Sequence, residues 1–203
     1  MISASTARPP AWAEAILALL LEPANRERVT GDLLEQYRDS VLPEQGHGRA
    51  NAWYVTQVAG FGWRSVWAWV VLLSAAHVTR MILDWRMPTP DFRMRAAATT
   101  YFAIALFASA GLRSAWRSRS MYAGMVAGAL TSATGAAISI LSALVLLAVW
   151  HDPETLAAIQ GSGGLGEVFT LPLIIVVPAT AIAMLGALLG KGLARATRSR
   201  LAE

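Results

Sequence analysis

Four apolar stretches, at roughly residues 65–84, 96–112, 121–149 and 168–190, dominate this chain. Each is close to or above the length of about 20 residues that a helix needs to cross the hydrocarbon of a bilayer. A water-soluble domain of 203 residues seldom carries 55% hydrophobic and only 15% charged residues, and the mean hydropathy of +0.46 says that much of this apolar surface must face something other than water. The expected fold class is therefore all-α: an integral membrane protein with about four transmembrane helices behind a small, water-facing N-terminal segment. The second stretch is short for a span, and the third is long enough to tilt.

The basic residues sit in short clusters between the apolar stretches. That pattern turns the net charge of +4 into a signal of membrane topology rather than of nucleic-acid binding. Arg113, Arg117 and Arg119 stand without an acid between the second and third stretches, and Lys191, Arg195, Arg198 and Arg200 face only Glu203 in the tail from 191 to 203. Both connectors belong in the cytoplasm. The connector at 151–167 holds Asp152, Glu154 and Glu167 and no Lys or Arg, which places it outside and both termini inside the cytoplasmic membrane. The first outer connector dissents, because Arg86, Arg93 and Arg95 outnumber Asp84 and Asp91.

Residues 1–62 read as a cytoplasmic helical segment, with Glu14, Glu22, Glu27, Asp32, Glu35, Asp39 and Glu44 balancing its arginines. Pro9 and Pro10 suit a helix start, and Trp12, Ile16, Leu19 and Leu20 follow at helical spacing until Glu22 and Pro23 interrupt. An uncleaved amphipathic helix explains this run better than a signal peptide, because Glu14 falls inside it and no small cleavage-site residues follow. A second helix from Pro23 carries Val29, Leu33, Tyr37 and Val41 at four-residue steps and is expected to end near Leu42 and Pro43. Gly31 weakens it by about 1 kcal/mol relative to Ala, so a break capped by Thr30 or Asp32 stays open. The stripe Val29, Leu33, Tyr37 and Val41 has two readings: a contact face for a partner protein, or a seam that closes the segment on itself. After a turn at 46–48, Trp53, Tyr54 and Phe61 lead to Trp63, Trp67 and Trp69 at the expected membrane boundary.

No motif specifies a reaction. The absence of cysteine excludes disulfides, thiolate metal sites and cysteine nucleophiles. GSGGLG at 161–166 has dinucleotide-binding spacing but lacks the preceding strand, and GALLGKG at 186–192 is one residue short of a phosphate loop. His151, Asp152 and Glu154 read as a solvated loop. Neither a cofactor, a metal nor enzymatic activity is expected. Gly124 and Gly128, like Gly186 and Gly190, are four apart and let helix backbones approach closely in lipid. Ser132, Gly135, Ser139 and Ala143 extend a small-residue face that fits a neighbour in the same chain or in a second copy. His77, Arg80 and Asp84 share one face of the first span. They read as a structural ion pair or, in the alternative, as a proton or substrate relay.

Within residues 10–58, Trp12, the run Gly31, Asp32 and Leu33, then Tyr37, Arg49, Trp53, Tyr54 and Gln57 resemble the permease prefix domain found ahead of bacterial ABC transporter permeases of the macrolide-exporter type. The resemblance covers about a quarter of the chain. It implies a helical cytoplasmic appendage beside the first membrane helix, a bacterial inner-membrane location and association with ABC-type transport machinery. Those permeases continue into a large extracytoplasmic domain, which these four spans with short connectors do not provide, and no catalytic residue carries over. The expectation is an accessory or regulatory membrane protein with a permease or other protein partner. The alternative is a transporter or channel component whose spans form a path as a homo-oligomer.

Overall fold

A computed structural model describes residues 8–89 and 92–201, with side chains as far as 195. Asp91 and Glu203 lie outside the described residues, as do the side chains of Arg198 and Arg200. Among the described residues the chain is all-helical: α1 (Ala11–Leu20), α2 (Pro23–Gln36), a π-helical turn (Tyr37–Val41), α3 (Leu42–Arg86), α4 (Phe92–Ser118), α5 (Met121–Val149), α6 (Pro153–Gly161), α7 (Gly164–Ile174) and α8 (Val176–Leu201). Four helical segments are long and apolar enough to cross a membrane: α2–α3 taken together, α4, α5, and α7–α8. The α4 helix exceeds the short stretch expected at 96–112, because arginine-bearing turns extend the helix beyond its apolar middle at both ends.

The N-terminal module is built from α1, α2 and the first part of α3, around Ala13, Leu17, Leu21, Tyr37, Val41, Ala50, Tyr54 and Val58. The buried face of α1 is thus one residue out of step with the expected one, and the bulky Trp12 stays 57% exposed. Tyr37 is fully buried; its hydroxyl donates to Asn51 Oδ1 at 2.7 Å and its ring meets Tyr54 edge-on at 6.0 Å. Of the two readings of the Val29, Leu33, Tyr37 and Val41 stripe, the packing agrees with the seam. Tyr37 and Val41 are core residues, and Val29 and Leu33 pack against that core, so the chain's own helices cover the stripe.

The second helix also continues past its expected end. Pro43 cannot donate to a carbonyl one turn back, and a π turn widens the backbone just before it: the Leu42 N–H bonds the Tyr37 carbonyl, five residues earlier. The chain therefore runs on into α3 and bends instead at Gly46, where φ is 74° and ψ 168°. No break occurs at Gly31, and the Thr30 hydroxyl donates back to the Arg26 carbonyl at 2.7 Å rather than capping a new helix.

The four-helix bundle is closed by small residues. Along α8, Ala179, Ala183 and Ala187 are completely buried, with Gly186 and Gly190 beside them. A Cβ at Gly186 would run into the Ala108 carbonyl, one at Gly190 into the Leu112 carbonyl, and one at Gly111 into the Ala183 carbonyl. On α5, Gly124 and Gly128 face the Cβ atoms of Ala187 and Ala183, so α4, α5 and α8 share one seam of near backbone contact. The same small-residue face of α5, continued toward its C-terminal end, receives α3: Gly135 lies under Leu73, and Ser132, Ser139 and Ala143 are buried. These faces pair within one chain. The large apolar side chains point the other way, with Leu141, Val145, Val177, Leu185 and Leu189 each more than 60% exposed.

Gly186→Val is expected to lower the unfolding free energy in detergent by about 2 kcal/mol or more, the cost of overpacking a close seam. Gly192→Ala meets no atom within 4 Å and is expected to hold stability or raise it by up to about 1 kcal/mol. Tryptophan fluorescence during titration with a denaturing detergent checks both.

Candidate functional site

At the end of the bundle farthest from the N-terminal module, α3, α4, α7 and α8 separate around a cavity of about 390 Å³, a volume in the range of small-molecule sites. The residues that hold the helices apart there are bulky. Phe92, Ile104 and Phe107 of α4 face Leu171, Ile175 and Ile182 of α7 and α8, in place of the glycines and alanines of the seam.

The chain supplies this opening by interrupting its last span. Helices α7 and α8 meet at Ile175, with Pro172 inside α7 and Pro178 in the first turn of α8. Neither proline has an N–H to give to the carbonyl four residues earlier, at Val168 and Ile174. Both prolines line the cavity, the setting in which broken helices are tolerated at membrane depth. Gly163 and Gly164, at φ 117° and 79°, form the turn into α7. GSGGLG is therefore a helix connector, and its glycines serve backbone geometry.

The polar stripe read from the sequence lies on one wall. His77, Arg80 and Asp84 all line the cavity, and the Arg80 Nε donates to Asp84 Oδ2 at 3.1 Å. The other oxygen of Asp84 faces the Arg95 guanidinium at 3.5 Å. Arg95 also donates to the Leu83 and Met87 carbonyls at 2.9 and 2.8 Å, so it ties the C-terminal end of α3 to the start of α4. Asp84 is only 8% exposed, and a buried carboxylate between two guanidinium groups is satisfied on both oxygens. Arg80 also stacks over the Phe92 ring at 5.2 Å. Deeper in, a His77 ring nitrogen lies 3.4 Å from the Ser139 hydroxyl. Arg80, Asp84 and Arg95 thus form an ion-paired triad.

Arg86 is engaged elsewhere: it faces Asp152 Oδ2 at 3.4 Å and the Trp150 ring at 5.3 Å. Asp152 caps α6, accepting the Thr155 N–H at 2.9 Å. That N–H, the Thr155 hydroxyl and the Arg86 charge hold its carboxyl below the usual range. Of the arginines that made the first outer connector look misplaced, Arg86 and Arg95 are thus partnered by carboxylates at the same end of the molecule.

Two members of the site escaped sequence reading. Arg95 was visible only as a topological anomaly, since its link to Asp84 spans the turn between two helices. Glu167, in the first turn of α7, also lines the cavity. It makes no hydrogen bond or ion pair among the described residues, and its carboxylate lies next to Gly163. Its place beside the apolar start of the last span was the available signal. Comparison with protein-family models, with curated proteins and with solved structures finds no match.

Asp84→Asn is expected to cost about 2 kcal/mol, because it leaves two partly buried arginines facing a neutral amide. Arg80→Gln is expected to cost about half as much, since Arg95 still serves the carboxylate. Equal losses in detergent unfolding would contradict the shared triad.

Proposed function

We propose that this chain is a small multi-pass protein of the bacterial cytoplasmic membrane, with both termini in the cytoplasm, that binds a cationic amphiphile in the cavity between α3, α4, α7 and α8. The observation that carries the reading is the carboxylate of Glu167, which has no partner among the described residues, at the rim of an apolar pocket whose other carboxylate, Asp84, is already bonded. Asp84 is occupied by Arg80 and Arg95, so Glu167 is the open charge. A ligand with an ammonium group and an apolar body answers both features, with Ile104, Phe107 and Leu171 on the walls to cover the apolar body. The fit of apolar helices to lipid and the arginine-rich connectors support the location and orientation.

The resemblance of residues 10–58 to the permease prefix domain supports a role as an accessory to ABC-type transport machinery, with the bundle presenting or retaining the amphiphile. A protein partner would engage a surface other than the Val29, Leu33, Tyr37 and Val41 stripe, which the module uses itself. The seam of α4, α5 and α8 draws three spans of one copy together, so the alternative, a transporter or channel path, would be built between copies of the chain.

Calorimetry in a neutral maltoside detergent tests the reading with three probes of equal chain length: dodecyltrimethylammonium, dodecyl sulfate and dodecanol. The cation is expected to bind most tightly, and Glu167→Gln to weaken it about tenfold, or about 1.4 kcal/mol, while leaving the alcohol unchanged. Tighter binding of the sulfate, or an unaffected Gln variant, would refute the proposal.

A further inference from the structure

A second pocket, of about 210 Å³, lies at the opposite end of the bundle, where the N-terminal module meets it. Its wall takes Leu20 and Asn25 from the module, Arg64 from α3, and Arg113, Ser114 and Arg117 from the end of α4. Three guanidinium groups around one small pocket make it strongly positive, and an anion placed between them relieves their mutual repulsion. The chain supplies only part of that anion. Glu22, also on the wall, bonds the Arg117 Nε at 2.8 Å, whereas Arg64 and Arg113 make no ion pair or hydrogen bond among the described residues. The pocket thus keeps an excess of two positive charges.

Its depth identifies the anion. Trp63 and Trp67 flank Arg64, and Trp116 precedes Arg117; all three indoles are about half exposed, as in the aromatic belt at a membrane surface. Phe61 and Leu20 add an apolar floor beside the charges. We propose that this pocket binds the phosphate of an anionic phospholipid headgroup, with Arg64 and Arg113 as its charge partners and the Ser114 hydroxyl and the Asn25 amide as neutral donors. Guanidinium groups suit phosphate because they can donate two parallel bonds to it. The bound lipid would lie across α1, α3 and α4 and so add to the joint of module and bundle, which already has the continuous α3 helix and the exposed Arg117–Glu22 pair. The site is independent of the cavity at the far end.

The full-length protein in neutral maltoside detergent provides the test, with native mass spectrometry and thermal unfolding as readouts. Phosphatidylglycerol is expected to bind at least tenfold more tightly than phosphatidylcholine and to raise the melting temperature. Inorganic phosphate alone, at the same concentration, is expected to do neither. Arg64→Gln with Arg113→Gln is expected to remove the preference. Ser114→Phe fills the pocket while leaving all three arginines, and is expected to remove it as well. Equal binding of the two lipids, full stabilisation by inorganic phosphate, or a preference that survives either variant would overturn the proposal. Survival in Ser114→Phe would assign the effect to general surface charge instead of the pocket.

Discussion

The close approach of α4, α5 and α8 through glycine and alanine is the constraint on which the rest of the structure depends. With Gly111, Gly186 and Gly190 set against neighbouring backbone carbonyls, side chains cannot interdigitate along the seam, so large apolar residues such as Leu141, Val145, Leu185 and Leu189 turn outward. That inverts the usual arrangement of a soluble core. The bundle interior is filled by Ala103, Ala110, Ala127, Ala179, Ala183 and Ala187, while Leu141, Val145, Leu185 and Leu189 are displayed. Lipid removes the hydrophobic driving force between helices, and packing of small residues is what remains to hold them.

The same seam locates both pockets. Three helices drawn together cannot also meet α3 along their full length, and Phe92, Phe107 and the interrupted α7–α8 span keep the far end open. Charged groups concentrate where the packing stops. At the far end, Asp84 accepts two arginines from two helices and fixes the α3–α4 turn. At the near end, Arg64, Arg113 and Arg117 gather beside the module. Each cluster sits at an end of the bundle, where a long side chain can reach a partner or a headgroup without crossing hydrocarbon.

The helices were legible because hydropathy and small-residue spacing act locally. Gly124, Gly128, Gly186 and Gly190 could be assigned to packing from their four-residue steps alone, although the choice of partner helices depended on the fold. The Arg80–Asp84 contact followed from i, i+4 spacing; Arg95 did not, since no local period links it to Asp84. The end of the second helix was misplaced because a proline ordinarily stops a helix, and a π turn that accommodates one has no sequence signature of its own. The stripe Val29, Leu33, Tyr37 and Val41 kept two readings for a related reason. An amphipathic stripe states that something covers it, and only the fold says whether that is α1 and α3 or another protein.

The inverted packing is most directly tested by spin labels at single introduced cysteines, since the chain has none of its own. In liposomes, labels at Val145, Leu185 and Leu189 should collide freely with dissolved oxygen and scarcely at all with a water-soluble nickel chelate, while a label at Ala110 or Ala183 should be shielded from both or disrupt the seam. Strong nickel collisions at the three exposed positions would mean that water, and not lipid, faces these helices, and the account would fail.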